Sequence, residues 1–144
     1  MSEPIYQLAY FSRNTVLGSP EVQEVEVQRI LAASRRNNAA AKVTGALLFN
    51  SSCFAQILEG PLAAVETTFE RIQCDQRHSD ITVLELSPIE MRGFATWSMA
   101  FAGKLDETQA SFRTLRDASI ERSGAAVQLF ELLHGLVLRE EGAV

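Results

Sequence analysis

The sequence predicts an α+β domain, because segments typical of strands and of helices alternate along about its first hundred residues. Short segments in which apolar residues recur with a period of two indicate strands, whereas two segments with a three-four apolar spacing indicate helices. The chain has 144 residues, of which 47% are hydrophobic and 22% are charged. This length and composition are sufficient for one globular domain with its own core.

The first two predicted elements are a strand over residues 5–13 and a long helix. Ser19 before Pro20 is a typical helix start, because serine caps helices and proline fits the first helical position. We expect this helix to run to about Asn38. Its inner face follows a three-four spacing and consists of Val27, Ile30, Leu31, Ser34 and Asn38.

Five further elements complete the predicted domain. Residues 43–50 and 53–59 are two strands separated by a two-residue gap, which is typical of a hairpin. A second helix is expected over residues 62–74, and two more strands over 81–86 and 94–101. The resulting β-α-β-β-α-β-β order is ferredoxin-like, and it predicts a mixed five-stranded sheet with both helices on one face.

The composition changes after Gly103, so we expect a domain over residues 1–103 and a C-terminal helical extension over 104–144. A short helix after Asp106 and a longer helix from about Ser119 to Arg139 are predicted there. The longer helix is apolar around more than half of its circumference, which is more than one face of a sheet easily buries. We therefore expect these C-terminal helices to form a homo-oligomer contact.

Charge and composition argue against several classes of partner. The chain has 13 basic and 18 acidic residues, a net charge of −5, and no basic stripe, so a nucleic-acid partner is not expected. No apolar run approaches the roughly 18 residues that a membrane-spanning helix needs, and the N-terminus does not resemble a signal peptide. Two cysteines make no disulfide framework, and a cytoplasmic protein is the plain interpretation.

Gln56 is the most informative residue, because it is an amide in the middle of an apolar strand. Phe54, Gln56 and Leu58 should share one face of that strand, while Cys53 falls on the other face and is expected to be a structural thiol. A buried amide without partners would cost about 1–3 kcal/mol, so a polar group or a ligand must lie opposite it. Tyr10 can donate to the amide oxygen if the two strands are neighbours. An isolated pair of this kind is more often a structural contact within a core.

Several segments, in their order and spacing, resemble those of the BLUF domain, a blue-light sensor that uses a flavin, in its short single-domain form. The resemblance covers about residues 4–103. The segments are Leu8-Ala9-Tyr10-Phe11-Ser12, Asn37-Asn38, Val43-Thr44-Gly45-Ala46-Leu47-Leu48, Phe54-Ala55-Gln56-Ile57-Leu58-Glu59-Gly60, Arg71-Ile72-Gln73-Cys74-Asp75-Gln76-Arg77-His78, Pro88-Ile89, Arg92, Phe94 and Trp97-Ser98-Met99.

The resemblance implies specific roles for residues of this chain. Tyr10 would give an electron and a proton to the light-excited flavin through Gln56, whose hydrogen bonds then rearrange by rotation or tautomerisation of the amide. Trp97 and Met99, expected on one face of the fifth strand, would pass the signal outward. The flavin would be FAD, although a site that grips mainly the ring could accept FMN or riboflavin. The residues implied to hold it are Asn37, Asn38, Gln56, Arg71, Asp75 and His78.

Position alone allows plainer interpretations of these residues. Asn38 lies near a helix end, where asparagine is most often a cap. Arg71 and Asp75 stand one helical turn apart and could be a solvated ion pair worth a few tenths of a kcal/mol. His78 is expected to be a satisfied or surface residue, and no metal site is expected, because no second ligand has a suitable spacing.

The favoured function is a flavin-binding blue-light receptor that signals through its fifth strand and C-terminal helices to a protein partner. No catalytic output of its own is expected, because residues 104–144 are too few for a cyclase or phosphodiesterase domain. A hydrolase of the acylphosphatase type would need a glycine-rich anion loop, which the sequence lacks. The remaining alternative is a colourless domain that regulates through a small ligand or a protein contact.

Overall fold

The computed structural model describes residues 4–95, 97, 99–103, 116–117 and 125–141. Within these residues the chain alternates strands and helices, and the predicted α+β class is confirmed. The elements are β1 (Ile5–Asn14), α1 (Pro20–Ala41), β2 (Thr44–Phe49), β3 (Cys53–Pro61), α2 (Leu62–Gln73), β4 (His78–Ile89), β5 (Ala100–Gly103) and α3 (Ala125–Glu141).

The described strands form one sheet in the order β4-β1-β3-β2-β5. β1 lies antiparallel to both β3 and β4, β2 lies antiparallel to β3, and β5 runs parallel to β2. The register between β1 and β3 pairs Tyr10 with Gln56. Because directly paired residues point to the same face, this register brings the two side chains together.

α1 begins after Ser19 as predicted, but it extends beyond its predicted end at about Asn38. Ser19 caps the N-terminus, since its hydroxyl oxygen accepts a hydrogen bond from the Val22 N–H at 3.3 Å. The helix continues past Asn38 through three alanines, which are strong helix formers, to Ala41. Lys42, with φ of 60°, then ends it in a left-handed conformation.

The sheet has helices on both faces, and each face has its own buried cluster. α1 and α2 cover one face, where the buried residues include Leu8, Leu31, Leu58 and Val65. α3 covers the other face. There the buried residues of the sheet, of α3 and of the segment before β5 are Ala9, Phe11, Ala46, Leu48, Cys53, Ala55, Ile57, Phe94, Ala100, Leu129 and Leu133. Cys53 thus lies on the face opposite Phe54 and Leu58, as the alternation predicts.

The segment before β5 differs from the prediction. Strand β5 begins at Ala100 rather than at Phe94, because the chain turns at this point and the Trp97 N–H donates to the Phe94 carbonyl at 3.1 Å. A period of two applies only within a strand. Consequently the prediction that Trp97 and Met99 share a strand face was wrong: Trp97 packs on the α3 side of the sheet, and Met99 packs on the α1–α2 side.

The C-terminal predictions can be compared only in part. α3 covers Ala125–Glu141, whereas the predicted start at Ser119 and most of the short helix after Asp106 lie outside the described residues. Arg116 and Asp117, which are described, are helical. Within the described ranges, no helix is both long enough and apolar enough to cross a membrane.

Candidate functional site

A cavity opens between α1, α2 and the face of the sheet that these helices cover. Its volume is about 190 Å³, whereas one ordered water needs only about 10–15 Å³. It therefore has room for an organic ligand. The predicted relay pair and all the predicted flavin-holding residues lie along it: Tyr10, Asn37, Asn38, Gln56, Arg71, Asp75 and His78.

Tyr10 and Gln56 form a buried hydrogen-bonded pair on the wall of the cavity. The Tyr10 hydroxyl donates to Gln56 Oε1, and the two side chains are 2% and 3% exposed. The other end of the amide, Nε2, donates to the sulfur of Met99 at 3.4 Å. A carboxamide nitrogen has two N–H groups. Among the described residues the second has no partner, and it is available to a ligand in the cavity.

Burial and ring contacts hold Tyr10 in one protonation state and one position. Desolvation raises the pKa of the Tyr10 phenol well above its usual range, and the negative charge of Asp75 raises this pKa further. The phenol therefore keeps its proton until something removes an electron from it. The rings of Phe69 and His78 pack against it with centroids at 5.4 and 6.4 Å.

Asn37 and Asn38 lie in the last turns of α1, at one end of the cavity. Asn38 is 2% exposed, and its backbone carbonyl accepts from the Val43 N–H at 2.9 Å. Because the helix continues to Ala41 and ends at Lys42, Asn38 is not the capping residue. The plainer interpretation of Asn38 as a cap was therefore wrong.

Asp75 pairs with Arg77 rather than with Arg71. α2 ends at Gln73, so Asp75 lies beyond the helix and the one-turn spacing from Arg71 no longer brings the two side chains together. Instead Asp75 accepts from the Arg77 guanidinium at 2.6 Å and from the Arg77 backbone N–H at 2.9 Å. These hydrogen bonds from Arg77 lower the pKa of Asp75 below its ordinary value of 3.8.

Arg77 is a residue of the site that was not predicted from the sequence. Arg77 lines the cavity, and its guanidinium also reaches Glu26 of α1 at 3.3 Å, so it connects the segment after α2 to α1. Among the described residues Arg71, in contrast, has no ion-pair partner and is exposed at the cavity wall. An aspartate that accepts from the backbone two residues later is a recognisable turn signal. In the sequence the signal for this turn is Asp75 itself, directly after the predicted helix over residues 62–74.

His78 has both ring nitrogens in hydrogen bonds, in line with the expectation of a satisfied histidine. Nδ1 lies 2.7 Å from the hydroxyl oxygen of Ser12, and Nε2 lies 2.8 Å from the carbonyl oxygen of Ile72. Nε2 must therefore carry a proton and donate it, because a carbonyl can only accept. In the described ranges no group of three or more potential metal ligands occurs.

The donor set and the walls of the cavity fit a flavin. The ring of a flavin has apolar faces and a polar edge, and the cavity combines apolar side chains such as Leu47 and Phe54 with the amides of Asn38 and Gln56. Arg71 and Arg77 add two guanidinium groups, which can bind a phosphate or a carbonyl oxygen. These residues would hold the ligand through its edge and its charged tail.

Comparisons with known proteins agree with this fit. The family model described as "Sensors of blue-light using FAD" matches residues 5–100. A photoactivated adenylate cyclase subunit beta from Euglena longa is 29% identical over 133 residues, which are 92% of this chain and 15% of that protein. The chain thus spans less than a fifth of the length of this curated relative.

Solved structures give the same result over nearly the whole chain. The dark-state structure of the BLUF protein BlrB has a TM-score of 0.72 and 30% identity, covering 94% of this chain and 98% of that one. The photo-activated state of BlsA has a TM-score of 0.70 and 26% identity, covering 93% and 94% of the two chains. The cavity, its lining and these matches together show that the chain belongs to the BLUF family of flavin-binding blue-light sensors.

Proposed function

We propose that this chain is a blue-light receptor in which Tyr10 and Gln56 are the photochemical relay. The observation that carries the proposal is the buried hydrogen bond from the Tyr10 hydroxyl to Gln56 Oε1 at the wall of the cavity. A bound flavin, once excited by blue light, supplies a strong one-electron oxidant at this place. Tyr10 is then the electron and proton donor, and Gln56 lies between it and the ligand.

The two side chains are suited to a coupled transfer. Because its pKa is raised, the Tyr10 phenol is neutral before excitation, and an electron can leave it most easily if its proton leaves as well. That proton moves from Tyr10 Oη to Gln56 Oε1 along the hydrogen bond already present. Gln56 would pass an Nε2 proton to the ligand in exchange. Once an electron and a proton have returned to Tyr10, Gln56 would be left rotated or in its other tautomer, with hydrogen bonds to the ligand and to Met99 that differ from those before illumination.

The ligand is proposed to be FAD, and a site that grips mainly the ring could also take FMN or riboflavin. Asn38, Asn37 and Gln56 would bind the polar edge of the ring, whereas Arg71 lies at an exposed position where it can reach a phosphate. His78 and the Asp75–Arg77 pair would close the end of the cavity formed by the start of β4 and the chain before it.

The output is proposed to be a change in protein contacts, without a catalytic reaction of this chain. Met99 contacts Gln56 on one face of the sheet, and Trp97 packs with Phe94 and the α3 side on the other. A change at Gln56 can therefore reach α3. We propose residues 1–103 as the sensing domain and residues 104–144 as the extension that contacts a second copy and a downstream protein. An apolar Val127 that is 57% exposed on α3 supports such a contact.

The proposed function is tested by the colour of the purified protein and by the change of its absorption in blue light. Purified protein should be yellow, and blue light should shift its absorption slightly to the red, reversibly in the dark. Tyr10→Phe and Gln56→Leu should keep the flavin and lose the shift. The matched controls are Tyr6→Phe, which changes the other tyrosine of β1, and Gln73→Leu, which changes an exposed glutamine. Both controls should shift normally.

Two outcomes would contradict the proposal. A colourless protein that takes up no added flavin would favour the alternative of a small-ligand or protein-interaction regulatory domain. A normal, dark-reverting shift in Gln56→Leu would rule out the amide as the relay, even if the protein is yellow.

A further inference from the structure

Glu59 is a fully buried carboxylate that the proposed relay does not use. It is 0% exposed, and its side chain lies on the α3 side of the sheet, away from the cavity. Oε1 accepts from the Phe94 N–H at 2.9 Å and from the Thr44 hydroxyl at 3.3 Å. Oε2 accepts from the Gly93 N–H at 2.8 Å and from the Gln7 amide at 3.2 Å. Four donors on two oxygens are what an ionised carboxylate can accommodate.

Arg92 strengthens the same attachment from the neighbouring position. Its guanidinium donates to the Thr44 hydroxyl at 2.9 Å, to the Glu59 carbonyl at 3.0 Å and to the Lys42 carbonyl at 2.8 Å. Three successive residues, 92 to 94, are therefore attached to the start of β2 and the end of β3. Lys42 is also the residue at which α1 ends, so this attachment includes the helix that lines the cavity.

The attached residues position the backbone at Trp97 and Met99, whose side chains lie on opposite faces of the sheet. The Gly45 N–H donates to the Trp97 carbonyl at 3.2 Å, and Arg35 of α1 donates to the Met99 carbonyl at 2.9 Å. Met99 then contacts Gln56 through its sulfur. A shift at residues 93–94 would move the chain that carries this sulfur, because few residues separate the two points.

The residues that Glu59 binds also contact α3. A Cβ atom built on Gly93 would lie 2.4 Å from the ring of Phe130 and 3.3 Å from Glu59 Oε2, so no larger residue fits between the carboxylate and α3. The Phe94 ring packs on Phe130 with centroids at 5.4 Å. Glu59 is therefore linked through two successive N–H groups to the residues that support α3.

Fold stability alone does not explain a buried charge at this position. Removing a carboxylate from water is costly, and an apolar side chain of similar volume is often as stabilising or more so. A carboxylate with fixed donors does, however, select one chain path over others, because any other path leaves N–H groups or oxygens unsatisfied. The arrangement therefore favours a role in positioning.

We propose that Glu59 is a positioning residue of the photocycle. It holds residues 92–94 in one register, so that Met99 reaches the Gln56 amide on one face while the Trp97 side chain packs toward α3 on the other. The lifetime of the signalling state then depends on a carboxylate that touches neither the flavin nor the relay pair. This inference rests on the proposed function for its light-dependent part, and on the structure alone for its positioning part.

The test is Glu59→Gln in the full chain, with Glu85→Gln as the matched control on an exposed strand position. The amide has one acceptor oxygen, so the Gly93 or the Phe94 N–H loses its acceptor. Hydrogen exchange of these two amides should become faster by roughly one to two decades, the range expected for hydrogen bonds to a charged acceptor. Trp97, the one tryptophan of the chain, should change its emission in the flavin-free protein.

In the flavin-bound protein the size of the red shift should stay the same, whereas the rate of its dark recovery should change about tenfold. A folded Glu59→Gln protein with the amide exchange, Trp97 emission and recovery rate of the Glu85→Gln control would overturn the inference. If Glu59→Gln does not fold, Thr44→Val removes one shared hydroxyl from the same network and should change recovery in the same direction by a smaller factor. An unchanged recovery rate in folded Thr44→Val would then overturn it.

The outcome for Glu59 can be separated from that of the proposed function. If the parent protein shows no red shift, the relay proposal fails, yet amide exchange and Trp97 emission still decide whether Glu59 positions residues 92–99. If the parent protein shifts normally and the Glu59 variants behave as the parent does, only the positioning inference fails.

Discussion

The two faces of the sheet have the same strands but are built differently. On the α3 face, apart from the Glu59 network at the end of β3, the described cluster is apolar, with Phe11, Leu48, Ile57 and Leu133 fully buried. On the α1–α2 face the buried residues surround a cavity and include the polar side chains of Asn38 and Gln56.

The α3 face contributes mainly packing, whereas the α1–α2 face provides the cavity. The alternation of strand side chains allows one face to be packed for stability while the other gives up packing to leave room for a ligand. A void and buried amides reduce the contribution of the cavity face to stability. The α3 face must supply that contribution instead, and substitutions on the two faces should therefore have opposite signatures.

The largest effect on stability is expected from Leu133→Ala. Leu133 is 0% exposed between α3 and the sheet, and truncation of such a leucine costs about 2–5 kcal/mol in the free energy of unfolding. The measurement is urea unfolding followed by circular dichroism. Glu131→Ala, on an exposed position of the same helix, should change this free energy by less than about 0.5 kcal/mol. Equal losses in both variants would mean that α3 does not pack as described.

The second-largest effect on stability is expected from an alanine-to-leucine substitution, made once on each face of the sheet. Ala46 is 0% exposed in the α3-side cluster, so Ala46→Leu should overpack it and cost about 1–3 kcal/mol. Ala33 lines the cavity, so Ala33→Leu has empty space to enter and should leave stability unchanged within about 0.5 kcal/mol. It should, however, exclude the flavin. Unfolding curves and the flavin absorbance of protein reconstituted with FAD measure both. A yellow Ala33→Leu protein would show that the flavin does not occupy this cavity.

The strands and the central glutamine could be predicted from sequence because they depend on local patterns. Alternation along β1 and β3 indicates which residues share a face, and the apolar surroundings of Gln56 indicate that it needs a partner. The identification of that partner as Tyr10 needed the assumption that β1 and β3 are neighbouring strands. The register between β1 and β3 confirms this assumption.

The remaining features depend on where elements end and on contacts between residues far apart in the chain. The pairing of Asp75 follows from the end of α2 at Gln73, and the orientation of Trp97 and Met99 follows from the late start of β5. From the sequence, Glu59 cannot be distinguished from any other carboxylate on a strand. Its four donors come from residues distant in the chain and meet it only in the tertiary structure. Helix and strand ends are the features that periodicity determines least well.

The smallest effect is expected from acid, and it again distinguishes the cavity from the surface. Asp75, in the cavity, and Asp80, on the surface, both have a lowered pKa, mainly because of hydrogen bonds from Arg77 and from Arg13 respectively. A carboxyl group whose folded-state pKa is lowered stabilises the fold above its unfolded pKa, here 3.8, and loses this contribution as the pH falls through the folded value. The exposed Asp80 pair is screened by solvent and should contribute little.

Asp75→Asn should therefore reduce the loss of stability between neutral pH and a pH below 3.8, whereas Asp80→Asn should leave it almost unchanged. The measurement is the urea midpoint of each variant across this range, at low and at high salt. High salt should weaken any contribution of the exposed pair more than that of the half-buried pair. If both variants flatten the pH dependence equally, the position of Asp75 at the cavity has no special electrostatic consequence. If only Asp75→Asn flattens the pH dependence, lowering the pH of the parent protein through the same range should also change the dark-state absorption of its bound flavin. Asp75 lines the cavity that is proposed to hold this flavin.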